Sequence, residues 1–351
     1  MKKATLIIIS LIFIIIIFAI FYFIIFRTSK QPASPSPTNL TAQTNNFSSW
    51  QFTGNDTKFG SFSKDGRKFR YYDVSSKKLN SYSLDEKQVI WSSDVLSNIN
   101  IDEVSWSSSG DEAVIGHSEA SSIGENSPKY QIVNSDGKLG VQLSKNITKA
   151  LWIDQDKLLA IYYDKNSQSS NISIINKNNL GEFTSIYSIA GYATDFYPSP
   201  DQQYGIIISQ FETETPFVKL IDLSGKKELK ALDTKYTSIK WASDSKYFAA
   251  ISEDKDFFGD LYAVGGEQLN SKFTTDSLEK IFVSGDSIYT ALPMTLSESD
   301  QAIDYINKID IKSAKVTQVK LPYGNFDIQA LTILGKIIFF KSNNYIYSIT
   351  L

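Results

Sequence analysis

A pattern that recurs about every 45 residues is the strongest constraint on how this chain folds. In each copy an aromatic or apolar residue ends one alternating apolar segment, a polar turn follows, and a second apolar segment begins. The clearest copies are anchored at Phe62, Trp106, Trp152, Tyr197 and Trp241. Weaker copies are anchored at Val283 and Leu331. Because self-similarity at this period is typical of repeated supersecondary units, one architecture built from similar units is expected.

Each copy also has a second half, in which another alternating segment leads through a tight turn into a further short segment. The halves that show this best are residues 130–137, 217–225, 260–267 and 305–312. Four short strands within about 45 residues are typical of a β-propeller blade. We predict an all-β, seven-bladed β-propeller at residues 49–351. Six and eight blades are the alternatives, because Asp156, Gln202 and Ser245 replace turn glycines and blur the count.

The two ends of the repeat region complement each other. The last copy has only three apolar segments before Leu351, and a lone segment at residues 49–53 precedes the first copy. Pairing the two would complete the seventh blade and remove exposed sheet edges. This pairing predicts that Trp50 is buried between sheets.

The turn at residues 62–66 (Phe-Ser-Lys-Asp-Gly), the similar turn at 106–110 and the Gly-Glu turn at 266–267 resemble those of TolB-type, WD-repeat-like β-propellers. The resemblance covers residues from about 50 to 351. It implies the propeller fold and, more loosely, a role in complexes of the bacterial cell envelope. The turn aspartates Asp65, Asp156, Asp201 and Asp244 are expected to cap turns and not to collect a cation.

Residues 4–26 form an uncharged apolar run that contains Ile7, Ile15 and Phe23. As a helix the run is long enough to cross the roughly 30 Å hydrocarbon core of a bilayer. We predict a signal-anchor helix, with a cleaved signal peptide as the alternative. Residues 1–3 are then a cytoplasmic tail, and residues 27–48 are a disordered stalk rich in Pro, Ser and Thr. The propeller is expected outside the cytoplasm of a single-pass cell-membrane protein.

Few residues of the sequence suggest catalysis or metal binding. The chain has no cysteine and a single histidine, His117, which is expected at the surface or in a turn. Asp254, Asp256 and Asp260 have part of the spacing of a calcium loop, but Phe257 and Phe258 interrupt it and the distal Glu is missing, so a polar hairpin is favoured. A second acidic group is expected to be a solvated loop of blade six; its members are Glu298, Asp300 and Asp304. We predict no catalytic, metal or cofactor site.

Two functions follow from these features. The favoured one is a binding or scaffold module for a protein, peptide or glycan in the cell envelope, with the lipid bilayer bound through the N-terminal helix. The alternative is a propeller-based enzyme, a lyase or hydrolase, with its site at the channel mouth. Nucleic acid is disfavoured as a partner, because the part beyond residue 30 has 31 basic and 38 acidic residues and lacks a basic run.

The anchor hypothesis predicts that the protein stays in the membrane fraction after high-salt and carbonate washing. Ile15→Arg places a charge at the centre of the apolar run at a cost of about 3 kcal/mol, so insertion should fall. Immunoblots of membrane and soluble fractions measure both outcomes. A mature soluble form that begins beyond Arg27 would contradict the anchor.

Overall fold

The computed structural model describes residues 47–51, 56–63, 65–97, 99–118, 129–209, 215–252, 257–275, 277–294, 303–321 and 326–351. Within these ranges the chain forms seven four-stranded antiparallel sheets and a single 3₁₀ turn, Leu278–Lys280. The predicted seven-bladed β-propeller is confirmed. None of the described residues forms a helix long and apolar enough to cross a membrane. Residues 4–26, including Ile7, Ile15 and Phe23, lie outside the described ranges.

The first four blades follow one another along the chain, each with its strands in sequence order from the inside outward. Blade 1 contains β2 (Thr57–Phe62), β3 (Lys68–Asp73), β4 (Lys78–Ser83) and β5 (Gln88–Ser92). Blade 2 contains β6 (Asn100–Trp106), β7 (Ala113–Ser118), β8 (Lys129–Val133) and β9 (Leu139–Gln142). Blade 3 contains β10 (Ile147–Trp152), β11 (Lys157–Asp164), β12 (Ser169–Asn176) and β13 (Asn179–Ala190). Blade 4 contains β14 (Asp195–Pro198), β15 (Tyr204–Ser209), β16 (Phe217–Asp222) and β17 (Lys227–Leu232).

The last three blades continue this order until the seventh takes a strand from the other end of the chain. Blade 5 contains β18 (Ser238–Trp241), β19 (Tyr247–Ser252), β20 (Phe257–Ala263) and β21 (Gln268–Thr275). Blade 6 contains β22 (Ile281–Ser284), β23 (Ser287–Met294), β24 (Ile303–Asp310) and β25 (Val316–Val319). Blade 7 contains β26 (Ile328–Leu334), β27 (Ile337–Ser342), β28 (Tyr345–Thr350) and β1 (Phe47–Gln51).

The second strand of a blade is buried on both faces. In β19, Phe248 and Ala250 pack into an apolar cluster shared with blade 4, whereas Ala249 and Ile251 pack into one shared with blade 6. Because successive side chains of a strand point to opposite faces, one apolar run serves two neighbours. This explains why these strands read as continuous apolar segments and not as an alternation of polar and apolar residues.

Seven apolar clusters of this kind join the blades, and each one spans a different pair of neighbours. The cluster between blades 7 and 1 includes Ile346 and Phe69, so the ring of sheets is closed. The first strands of several neighbouring blades also contact each other, for example β2 with β26 and β22 with β26. The first strands therefore lie innermost, around the central channel.

Ring closure uses the N-terminal strand. β1 pairs antiparallel with β28, with Phe47 opposite Ile349 and Trp50 opposite Ile346. The strand begins at Phe47, two residues before the start that the sequence suggested. The prediction of a buried Trp50 is wrong in degree: as part of the outermost strand its side chain is half-buried. It stacks on Phe339 with ring centroids 6.5 Å apart.

The polar turns that follow the inner strands need backbone in the left-handed region. Gly66 and Gly110 have φ of +67° and +78°, and a Cβ at Gly110 would lie 2.9 Å from Cδ of Arg70. Gln202 and Ser245 adopt φ of 58° and 61° although they carry side chains. The degenerate copies therefore keep the same turn at some cost in backbone strain.

The closure of the ring predicts that β1 contributes to stability. A soluble variant beginning at Asn55 should unfold at a clearly lower urea concentration than one beginning at Asn46, because it leaves the edge of β28 unpaired. Trp50→Ala in the longer variant should cost about 2 kcal/mol, below the 3–5 typical of a fully buried Trp. Equal urea midpoints for the two variants would show that β1 contributes nothing to the fold.

Candidate functional site

The inner strands of five blades enclose a cavity of about 410 Å³, which we call the channel cavity. Blades 1, 2, 5, 6 and 7 contribute to its wall. The lining side chains that carry an aromatic ring or a charge are Phe59, Phe62, Glu103, Trp106, Lys240, Trp241, Glu279 and Phe282. The volume lies in the range of about 300–1,000 Å³ that is typical of ligand sites.

A second cavity of about 320 Å³ lies where the innermost strands begin, and we call it the mouth cavity. Thr57 and Lys58 at the start of β2 and Gln329 at the start of β26 line it. It shares Phe59 and Glu279 with the channel cavity, so the two are adjacent. A ligand group that enters at the mouth cavity would therefore meet the channel cavity next.

Three of the five clear repeat anchors, Phe62, Trp106 and Trp241, line the channel cavity from the ends of their inner strands. The weaker anchors Val283 and Leu331 line it as well. Trp241 is fixed by its Nε1–H, which donates a hydrogen bond of 2.9 Å to the Tyr197 carbonyl of the preceding blade. Trp152 lies outside this wall, in the apolar cluster between blades 2 and 3. The anchors thus both join blades and supply the aromatic part of the channel.

A network of two ion pairs joins the inner strands of blades 2, 3 and 4. The ammonium of Lys149 in β10 forms ion pairs with Glu103 in β6 and with Asp195 in β14, the latter at 2.8 Å. Burial disfavours the charged lysine, but the two carboxylates outweigh burial and raise its pKa above the usual range. Lys149 therefore stays protonated at physiological pH and is unsuited to proton transfer.

Lys240 lies in β18 of blade 5 and lines the channel cavity. Among the described residues, no carboxylate oxygen lies within 4 Å of its Nζ. Burial lowers the pKa of Lys240, and the attraction of Glu279 only partly offsets this effect. Glu279 belongs to the 3₁₀ turn before β22, where it accepts a hydrogen bond from Ser277 Oγ.

Arg70 is a further interior cation that the sequence did not single out. Its Nη1 donates to the Ser107 carbonyl at 2.8 Å, and its Nη2 donates to the Phe62 carbonyl at 3.0 Å. The guanidinium lies 5.9 Å from the ring centroid of Trp106. Burial lowers the pKa of Arg70 to about 10, which still leaves it charged. Arg70 therefore fixes the channel ends of blades 1 and 2.

The expectation of a solvated acidic loop in blade 6 is wrong for Asp304. This residue lies in β24 and is only 2% exposed. Its Oδ2 accepts from Lys280 Nζ at 2.9 Å and from the Ile328 amide at 2.7 Å, so it links blade 6 to the start of blade 7. A carboxylate buried in a low-dielectric interior requires such partners. Glu298 and Asp300 lie outside the described residues.

The acidic residues with calcium-loop spacing do not form a site that the structure describes. Asp260 lies in β20, where its Oδ2 accepts a hydrogen bond of 2.6 Å from Tyr236 and lies 3.5 Å from Lys235 Nζ. Asp254 and Asp256 are outside the described ranges. Within those ranges no three acidic or histidine side chains are grouped as metal ligands.

His117 does not lie at the surface or in a turn, as the sequence suggested. It is within β7, opposite Ile101 of β6, and is 5% exposed. The polar segment that follows His117 favoured a surface position, but β7 is the second strand of blade 2 and lies in its interior.

The turn aspartates bind their own turns. Asp65 Oδ1 accepts from Ser63 Oγ at 2.6 Å and from the Arg67 amide at 3.1 Å, and the bond from Ser63 lowers the pKa of Asp65. Asp201 makes the same two contacts, with Ser199 Oγ and the Gln203 amide. Asp244 Oδ1 accepts from the Lys246 amide at 3.1 Å.

Asp156 departs from this pattern. Its Oδ1 lies 3.2 Å from Lys177 Nζ, in an ion pair within blade 3. It has no positive φ, unlike the residues that replace glycine in blades 4 and 5. The third copy of the turn therefore differs in both its backbone and its contacts.

Two solved structures share the propeller fold of this chain. One, from the structure described as "Crystal Structure of Mitotic Checkpoint Complex", has a TM-score of 0.57 and 11% identity, and the match covers 92% of this chain and 96% of that one. Another is the β-propeller domain of Cps50 (Swd1) from Myceliophteria thermophila, with a TM-score of 0.55, 9% identity, and 86% and 99% coverage. No protein-family model matches the chain, and no curated protein matches its sequence. At these identities the likeness shows the β-propeller fold alone.

The buried pair in blade 6 predicts a large and specific loss of stability. Asp304→Asn leaves the Lys280 ammonium buried without its countercharge, at a cost of about 3–5 kcal/mol. Asp286→Asn in the same blade removes the exposed pair with Lys312 and should cost at most about 1 kcal/mol. Urea denaturation of the two variants compares them directly, and equal losses would mean that the Asp304 pair is not needed for the ring.

Proposed function

We propose that this protein is a membrane-anchored binding module of the bacterial cell envelope, and that its propeller engages a protein or peptide partner at the mouth of the central channel. The observation that carries the proposal is the aromatic channel cavity, which continues into the mouth cavity at the start of the inner strands. Aromatic walls with a few polar groups are typical of sites that hold a ligand group.

Two interior cations outside the cavity walls are held in place by neighbouring groups and are not available for catalysis. Lys149 is held protonated between two carboxylates, and Arg70 is fixed to backbone carbonyls. Both are therefore engaged in joining blades. A general acid or base would need a group that can exchange a proton near neutral pH.

The structural neighbours support a protein partner. The first is a chain in the crystal structure of the mitotic checkpoint complex, and the second is the propeller domain of Swd1. Propellers present a ring of loops around a channel, and such a surface suits docking of another chain. Because the neighbours are only distantly similar, the analogy extends to the kind of partner and not to its identity.

The location is supported by the sequence. The apolar run of residues 4–26, the Pro-rich stalk and the resemblance to TolB-type propellers favour a domain held outside the cytoplasm by a bilayer anchor. A glycan partner is also compatible with an aromatic channel.

An enzyme is the second candidate, and Lys240 is the observation that favours it. A lysine with a lowered pKa in a partly apolar cavity has the environment of an amine nucleophile. No second group placed to move a proton to or from it is found among the described lining residues beyond Glu279. A lyase or hydrolase activity would have to depend on this pair.

Site-specific photo-crosslinking in intact cells tests the binding proposal. A photo-reactive residue at Lys58, which is exposed at the mouth cavity, should capture a discrete partner. The matched control is the same residue at Val316, which is 56% exposed on the outermost strand of blade 6. We expect the partner at position 58 and not at position 316. The same products at both positions, or none at position 58, would contradict docking at the channel mouth.

A further inference from the structure

The interior lysines of the propeller differ in how their charge is balanced. Lys149 lies between two carboxylates, Lys280 pairs with Asp304, and Lys177 pairs with Glu112 and Asp156. Lys341, in the mouth cavity, donates to the neutral Gln329 Oε1. Lys240 lines the channel cavity, and none of the described carboxylates forms an ion pair with its ammonium. Lys240 is half-buried, and a partly desolvated ammonium without a countercharge is stabilised by an anion that binds beside it.

The surroundings of Lys240 define what would satisfy it. Lys240 lines the channel cavity together with Trp241 and Phe282, and the cavity also reaches Trp106 of blade 2. This is space for an apolar body next to a single cation. Tryptophan and phenylalanine faces accept flat or aliphatic groups, and an ammonium accepts an anionic oxygen.

The two carboxylates that line the cavity, Glu103 and Glu279, leave Lys240 able to bind a ligand. Glu103 gives one carboxylate oxygen to Lys149 and packs over Gly116, where an added Cβ would lie 2.8 Å from Oε1. Its charge is therefore committed to the wall of blades 2 to 4. Glu279 acts on Lys240 from beyond ion-pair distance and is itself exposed.

We propose that the channel cavity binds a carboxylate attached to an apolar body, and that Lys240 is the residue that holds the carboxylate. The inference rests on the proposed binding function and specifies the chemistry of the group that enters the channel. Glu279 competes with this carboxylate for Lys240, so its removal strengthens binding. The carboxylate is the end of a peptide chain or the side chain of an acidic residue.

Trp106 and Trp241 provide an optical readout, since both line the cavity. The full chain in detergent micelles is titrated with N-acetylphenylalanine, and its tryptophan fluorescence is recorded. The matched probe is N-acetylphenylalaninamide, which has the same body without the charge. A short peptide with blocked ends and one internal glutamate, tested against its glutamine counterpart, represents the side-chain source.

Lys240→Met should weaken binding of the acid probes about tenfold or more, and the amide probes should bind the wild-type chain about tenfold or more weakly than the acids. Glu279→Gln should tighten acid binding by about threefold, because a competing negative charge is lost. Lys246→Met, on the exposed turn of the same blade, should bind as the wild type does. The tighter of the two acid probes identifies the source of the carboxylate.

Three results would overturn the inference. One is equal binding of acid and amide by the wild-type chain, which is independent of any substitution. Another is unchanged acid binding by a folded Lys240→Met variant. The third is the absence of acid binding by the wild type up to about 100 mM.

A separate experiment tests the proposed binding function. Partner capture through position 58 in a Lys240→Met background shows whether a partner still docks at the channel mouth. If capture persists while the acid probes do not discriminate, the carboxylate inference fails and the binding module stands. If capture fails in both backgrounds while the acid probes bind through Lys240, the protein-docking proposal fails instead.

Discussion

The packing of each second strand against both neighbouring sheets is the interaction on which the rest of the structure depends. In β11, Leu158 and Ala160 face blade 2, whereas Leu159 and Ile161 face blade 4. No blade has a core of its own, because its apolar side chains are buried only between sheets. A blade is therefore fully buried only when both neighbours are in place, and blades 1 and 7 cover each other only in the closed ring. This gives β1 its importance even though it is a short outer strand.

Much of the fold could be predicted from the sequence because its determinants are local and repeated. The anchors, the polar turns and the apolar run of the next strand all lie within a few residues of one another, as at Phe62 and Gly66. Closure by the N-terminal strand also followed, from counting segments at the two ends. The half-buried state of Trp50 did not follow, because the burial of an outermost strand depends on what covers its outer face.

The channel could not be predicted in the same way, because its contacts join residues far apart in sequence. Lys149 pairs with Glu103, 46 residues away, and Arg70 donates to Ser107, 37 residues away. Asp304 was expected in solvent because its sequence neighbours are polar, whereas its partners Lys280 and Ile328 both lie 24 residues away. A usable signal was present all the same: Lys149 and Lys240 are single charges within short apolar inner strands, close to a tryptophan anchor.

The burial of the strands explains how the inner ones can carry charges. Second strands such as β15 and β19 are buried along most of their length, whereas inner strands such as β2 and β6 are mostly half-buried. An inner strand packs between blades with some of its side chains and faces the channel with others. A charge placed there is less desolvated than one between sheets. Substitutions on the channel side of inner strands can therefore change the lining of the channel while the clusters between blades, and hence the ring, stay the same.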